Sequence, residues 1–228
     1  DAGVLNRIVL YTTAMMEVKS SMGVIIAAPT AGACAALPAT CIGMGEALDL
    51  DDVEIAKALL AAGLIGVFIA TAWSFAAEVG GCQAEGGSAA AMSAAALVTM
   101  AGGTTAQATG AASMALQNML GVICDPVANR VEVPCLGKNV IAASNAISCA
   151  NMCLAGFNAV IPFDETIDAA RRVSERMPRE HRCTALGGLA TTPTSLKIEK
   201  QLQQCGGGCG CGTTSTPSSE LNVVTKPN

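Results

Sequence analysis

Eleven cysteines stand in 228 residues, and three of them have a setting that could do chemistry. Cys82 follows Gly80-Gly81 and opens Cys82-Gln83-Ala84-Glu85. Cys124 opens Cys124-Asp125-Pro126, and Cys135 closes Val131-Glu132-Val133-Pro134-Cys135. No formal charge lies between Gly86 and Cys124, so a long apolar excursion separates the first two thiols and a short loop the last two. Each cysteine is expected in a Gly- or Pro-marked turn, where packed helices can bring distant turns to one centre. Two readings follow. Buried thiols often serve only as small hydrophobes; alternatively, three thiolates grip one iron–sulfur cluster. A [4Fe–4S] cluster on three thiolates keeps one iron open as a Lewis acid for a carboxylate and hydroxyl. The spacing matches neither a zinc ribbon nor a CxxC pair.

The elements that must position these residues read as helices. Leu5 to Met22 and Val53 to about Ala70 carry helical apolar patterns, the second after the acidic entry Asp49-Leu50-Asp51-Asp52. Ala-rich helices are expected over Ser88 to Met100 and Thr105 to Leu120, split by Gly102-Gly103-Thr104. Further helices are expected from Lys138 to Leu154 and from Pro162 to about Met177, with a short segment over Leu196 to Leu202. No alternating strand pattern of useful length occurs, so the class is all-α, one compact helical domain over residues 1–202 with Gly/Pro-rich turns. Residues 203–228 read as a flexible Cys/Gly then Ser/Thr/Pro-rich tail.

The bulk properties narrow the partners. A net charge of −5 and the lack of a basic run argue against nucleic acid. Hydrophobic residues make up 51% but aromatic residues only 3%, so the interior must depend on close approach of helices bearing small side chains. Ala58 to Ala77 is long enough to span a bilayer. Gly86 to Cys124 is longer, yet it holds many Ser, Thr and Gln residues, and no Lys/Arg bias flanks either run. The expectation is a buried core and no membrane. The first apolar stretch, Ile8 to Thr13, does not read as a secretory leader, and the odd cysteine count favours metal ligation or free thiols, so a reducing, cytoplasmic setting is expected.

Six segments carry a resemblance. Ala28-Pro29-Thr30-Ala31-Gly32, Gly81-Cys82-Gln83-Ala84-Glu85, Leu116-Gln117-Asn118-Met119-Leu120-Gly121, Cys124-Asp125-Pro126-Val127-Ala128, Val131-Glu132-Val133-Pro134-Cys135 and Gly187-Gly188-Leu189-Ala190-Thr191-Thr192-Pro193-Thr194 occur in this order. Together the chain from about Asn6 to Leu202 resembles the alpha chain, or catalytic domain, of the iron–sulfur L-serine dehydratases. The resemblance implies an all-α fold, a [4Fe–4S] cluster on Cys82, Cys124 and Cys135, and no pyridoxal phosphate. It implies elimination of water from L-serine, a small amino-acid substrate, giving pyruvate and ammonia. A homo-oligomer or a separate beta chain would complete the enzyme. Glu85 and Lys138 are the candidate proton-handling groups. Thr30, Ala31, Gly32, Ser74, Asn139, Arg182, Gly187 and Gly188 are the candidate substrate-binding residues.

Several positions depart from that family. Its Ser-His-Ser-Gly loop has no counterpart, which a missing upstream segment would explain, and His181, the one histidine, reads as a surface residue. The family's Asn-Ala-Ser-Ile-Ser-Gly is here Ala72-Trp73-Ser74-Phe75-Ala76-Ala77, and Cys183 stands where a Glu or similar residue follows the late arginine. These changes leave open a cysteine desulfidase or another β-eliminating lyase, and a non-catalytic iron–sulfur or scaffold subunit. Cys205, Cys209 and Cys211 are candidates for a fourth, capping ligand, as in relatives that close the open iron with a C-terminal cysteine.

Overall fold

The structure is a computed structural model and describes residues 3–130 and 132–205, the side chain of Cys205 excepted. Cys209 and Cys211 lie outside the described residues. The described chain is all-α, as expected: nine α-helices, two 3-10 turns and only isolated bridges in place of strands. The helices are α1 (Val4–Ser20), α2 (Ala36–Ala47), α3 (Asp52–Ala72), α4 (Ala77–Gly80) and α5 (Cys82–Met100). They continue with α6 (Thr105–Gln117), α7 (Glu132–Leu154), α8 (Phe163–Arg176) and α9 (Pro193–Cys205).

Helix α5 is the axis of the bundle. From Cys82 to Val98 only Glu85 escapes full burial, and α2, α3, α6, α7 and α8 all pack on it. Ala and Gly make this possible, because backbones can approach where longer side chains would hold them apart. A Cβ on Gly87 would stand 3.0 Å from Leu116 Cδ1 and 3.3 Å from Met119 Cβ, both from the α6 side. This close packing explains why α5 begins at Cys82 and not at the expected Ser88. Gly86 and Gly87 interrupt a sequence pattern without interrupting the helix.

Helix ends are fixed by local chemistry. Asp51 and Glu54 form a capping box at α3, and Thr104 and Gln107 form one at α6, each contributing about 1 kcal/mol. Within α7, Val133 is extended (φ −126°, ψ 126°), and regular helix begins only after it, where Pro134 is tolerated in a first turn that needs no N–H donor.

Helix α3 alone among the described residues is long and apolar enough to cross a membrane by length and composition. Only 28% of its most apolar window is buried, and Leu60, Leu64, Val67 and Phe68 are exposed. The second apolar run, by contrast, is the core itself, as α5 and α6. Met22, Val24 and Ile26, in the segment leading to Thr30, are also exposed.

Helix α2 is capped from another helix. Its N-cap, Ala35, has no side chain that can accept a hydrogen bond. Asn139 of α7 supplies the acceptor: its Oδ1 receives the N–H groups of Ala35 (3.3 Å) and Ala36 (3.2 Å). Its Nδ2 donates to the carbonyls of Gly32 (2.7 Å) and Cys135 (2.9 Å). One buried amide therefore joins the 30–36 turn to the start of α7. Replacing Asn139 with Ala removes partners from four backbone groups, and a loss of about 2–4 kcal/mol is expected. Denaturant unfolding of N139A against wild type measures it.

Candidate active site

Three thiols from separate parts of the chain meet beside the N-terminus of α5. Gly81 adopts φ 70°, a left-handed conformation that suits glycine, and a Cβ there would meet Met177 Sδ at 2.7 Å and the Val122 carbonyl at 2.9 Å. The bend makes Cys82 the first residue of α5. Gln83, fully buried, ties this end to the second cysteine loop. Its backbone N–H donates to the Val122 carbonyl (2.8 Å), its Oε1 accepts from the Gly121 N–H (2.8 Å), and its Nε2 donates to Ser174 Oγ of α8 (3.3 Å). Cys124 is thereby held beside Cys82, and Cys135 arrives in the first regular turn of α7.

The three thiols are 3%, 5% and 5% exposed, in chain order. Contact with the Cys124 thiol, opposed by contact with Cys135 and aided by burial, pushes the Cys82 thiol up to about 12. Contact with Cys82, then burial, pushes the Cys135 thiol upward as well. Thiols raised in this way give up their protons most readily to a bound cation. Among the described residues no three His, Cys, Asp or Glu side chains surround a single-ion position; the sulfurs make a row of pairwise contacts, unlike a mononuclear zinc site. Two of the three stand at helix N-termini, where the backbone favours negative charge. Three cysteine thiols are a donor set of the kind that holds a metal or an iron–sulfur group. The expectation that each cysteine sits in a turn needs correcting, since Cys82 and Cys135 are both helical residues.

Ionisable groups surround the sulfurs. Lys138, one turn beyond Cys135, donates from Nζ to Asp125 Oδ1 (2.6 Å) and the Ile123 carbonyl (2.7 Å), and approaches Cys82 Sγ at 3.8 Å. Its side chain is 17% exposed and that of Asp125 8%, so neither is a solvated surface charge. Burial pulls the Lys138 ammonium down, but Cys82 and Asp125 outweigh it and raise it overall. Asp125 also accepts the Leu189 N–H at 3.1 Å. It thus fastens the glycine-rich loop, where a Cβ on Gly188 (φ 60°) would stand 2.6 Å from the Asp125 Cβ.

Glu85 lies one turn from Cys82. Burial raises its pKa, while the Thr30 hydroxyl, donating at 2.7 Å, partly lowers it again. The Thr30 oxygen in turn accepts the Ala33 N–H at 3.1 Å. A Cβ on Gly32 would meet the Glu85 carboxyl, so any side chain there would push that carboxyl from its place. A cavity of about 10 Å³ lies against Cys82 and Cys135, bounded by Gly32, Glu85, Lys138 and Asn139. A far larger cavity, about 880 Å³, lies at the other side of α6, lined by residues such as Phe68, Gly110, Phe157 and Ile161. None of the expected site residues borders it.

The other expected residues divide. Thr30, Gly32 and Asn139 stand at the site, although Asn139 commits its amide to backbone groups. Gly187 and Gly188 reach it through Asp125. Ala31 neighbours it in sequence and is exposed. Ser74 accepts the Ala76 N–H at 3.1 Å ahead of α4 and lines neither cavity. Arg182 donates from Nε to the Met177 carbonyl (2.8 Å) and from NH2 to the Glu175 carbonyl (3.1 Å), closing the end of α8. His181 is half-buried, not on the surface, and its carbonyl accepts the Cys124 N–H at 2.9 Å. Sequence reasoning missed Gln83 and the weight of Asp125; the only signal was their place inside the two cysteine motifs. It also missed Cys183, whose thiol reaches Cys124.

Fold and site define a helical protein whose centre is a row of buried thiols flanked by a carboxyl and an ammonium group. Residues 2–190 match the family described as serine dehydratase alpha chain, and the chain belongs to that family. It is 45% identical over 200 residues to the probable L-serine dehydratase, alpha chain, of Bacillus subtilis (strain 168), covering 88% of this chain and 66% of that protein. To the protein of the same description from Latilactobacillus sakei it is 46% identical over 186 residues, covering 82% and 89%. To the L-serine dehydratase TdcG of Escherichia coli (strain K12) it is 35% identical over 189 residues, covering 82% and 42%. The chain thus spans just under two thirds of the first relative and under half of the last.

The raised Glu85 has a consequence for stability. The folded protein keeps this proton above 4.5, the value of an unperturbed glutamate, so the folded state binds more protons than the unfolded state in that window. The contribution is complete below about 4.5 and is lost as pH rises through the folded value. Glu85→Gln, which keeps the acceptor for Thr30, lacks this dependence. Unfolding free energies measured at stepped pH are expected to show wild type losing stability relative to E85Q across that window, then a constant difference.

Proposed function

We propose that this chain is the catalytic alpha component of an iron–sulfur L-serine dehydratase. It eliminates water from L-serine to give aminoacrylate, which hydrolyses to pyruvate and ammonia. The observation that carries this reading is the contact among Cys82, Cys124 and Cys135, brought from three separate elements in a member of the serine dehydratase alpha chain family. These thiols would hold a [4Fe–4S] cluster, which when bound supplies an iron with an open position that makes hydroxide a better leaving group.

The chain's own residues supply the rest. Glu85, oriented by Thr30 and kept basic by burial, takes the α-proton and returns it to the departing hydroxyl, so the site ends with the proton count it began with. The Lys138 ammonium, held by Asp125, provides fixed positive charge beside the sulfurs and favours a bound carboxylate. The Thr30–Gly32 turn and the Gly187-Gly188 loop would hold that carboxylate through backbone N–H groups.

No pyridoxal phosphate enters this scheme. The setting is cytoplasmic, where eleven cysteines stay reduced. The relatives described as alpha chains support a second polypeptide that completes the enzyme.

Anaerobic purification with iron and sulfide counts, followed by L-serine and L-cysteine in separate assays, tests the proposal. Pyruvate from serine without sulfide is expected. Pyruvate with sulfide from cysteine alone would point to a desulfidase, and a full cluster with no turnover of either to a non-catalytic subunit. Glu85→Gln is expected to keep the iron and sulfide content while lowering kcat by about 10²–10⁴-fold.

A further inference from the structure

The segment that leads into the Thr30 turn carries the barest apolar side chains among the described residues. Met22, Val24 and Ile26 are 92%, 96% and 83% exposed, more than any other large hydrophobic residue. From Gly23 to Ala27 the backbone makes no helix, turn or bend. Among the described residues, none offers a hydrogen-bond partner to the backbone N–H or carbonyl groups of Val24, Ile25, Ile26 and Ala27. Side chains alternate along this run as they do on a strand. Ile25 is half-buried and packs on Met16, Cys34, Ala35 and Cys135, while Val24 and Ile26 on either side of it are bare. Val and Ile favour strands, so Val24-Ile25-Ile26 is a strand without a sheet.

Both ends of the run are fixed. The Gly23 N–H donates to the Val18 carbonyl at 2.8 Å. At the other end the Ala28 N–H donates to the Thr30 carbonyl at 3.3 Å, and the Thr30 hydroxyl donates to Glu85. The inner face of the run therefore rests on the third cysteine, and its far end on the turn that orients Glu85.

We infer that Val24–Ala27 is the docking edge for the second polypeptide of the enzyme, which adds an extended, uncharged strand along it. The inference rests on the proposed function, in which a second polypeptide completes the enzyme. Unpaired main-chain donors and acceptors on a straight run call for a strand as their partner. No charged residue lies between Lys19 and Glu46, so a charged side chain on the incoming strand would find no counterpart in this segment. A second copy of this chain fits less well. Two four-residue strands paired about a twofold axis bury far less than the roughly 1,200 Å² of a stable interface, and an isolated two-stranded ribbon is marginal in water. The net charge of −5 on each copy adds repulsion. A different polypeptide brings a whole sheet, whose further strands cover Val24 and Ile26 from outside. Docking fixes this segment and, through it, the Thr30 hydroxyl beside Glu85, so association is coupled to turnover.

The test follows amide hydrogen exchange and L-serine turnover in the reconstituted chain, alone and produced together with the beta chain of its own source. Alone, the amides of Val24 to Ala27 are expected to exchange at the rate of an unstructured peptide. With the beta chain they should slow by about 100-fold or more, and kcat should rise. The double variant Val24→Lys/Ile26→Lys changes only exposed side chains. It is expected to keep the melting temperature and the iron and sulfide content of wild type while binding the beta chain about 100-fold more weakly. Protection of these amides without the beta chain, growing with protein concentration alongside a doubled mass, would put a second copy there and overturn the assignment. A beta chain that leaves the amides unprotected, binds V24K/I26K as tightly as wild type, or does not associate would overturn it too. None of those outcomes touches the reaction. A full cluster with no pyruvate from serine in either state would instead overturn the proposed function, and the exchange pattern would still report the docking edge.

Discussion

Two buried amides, Gln83 and Asn139, hold the site together. Each answers backbone groups on segments far away in sequence, and between them they set the relative positions of the first cysteine, the loop before the second, and the helix that carries the third. A buried amide with all its partners is a strong directional tie, because the alternative is several unpaired polar groups in a dry interior. Backbone contacts then complete the frame: Gln83 N–H to Val122, Cys124 N–H to His181. The thiols meet where these bonds bring the three segments together.

Charge is organised on the same frame. Asp125 follows Cys124, Lys138 lies one helical turn after Cys135, and their ion pair at 2.6 Å joins the two motifs. Burial of such a pair carries a desolvation cost, here offset by the Ile123 carbonyl, which also accepts from Lys138, and the Leu189 N–H, which also donates to Asp125. Glu85 is the opposite case. It has one hydroxyl partner and no ion pair, so burial outweighs Thr30, Lys19 and Lys138 and raises its pKa. One rigid setting thus holds an ammonium charged and a carboxyl poised to exchange its proton.

Much of this was legible in the sequence. The helical class, the apolar core over α5 and α6, and the acidic entry of α3 follow from periodicity and composition. The start of α5 was not, because Gly86 and Gly87 look like breakers until the approach of Leu116 and Met119 supplies a reason for them. Asn139 was legible as a site residue but not as a cap for α2, since the groups it serves lie more than a hundred residues away. Arg182 looked like an anion ligand, and its guanidinium instead closes a neighbouring helix. Cys183 was visible only as a departure from a family pattern; its place beside Cys124 depends on a parallel bridge that no local pattern announces.

The make-up of α5 limits how this protein can change over time. Neighbouring helices pack closely on it, and a methyl group added at Gly87 would press on Leu116 and Met119. Drift in such a core is confined to exchanges among Gly, Ala and Ser, while adaptation of any activity is pushed outward to the loops that face the sulfurs. A lineage bound in this way would keep its scaffold nearly fixed and vary its chemistry at the rim.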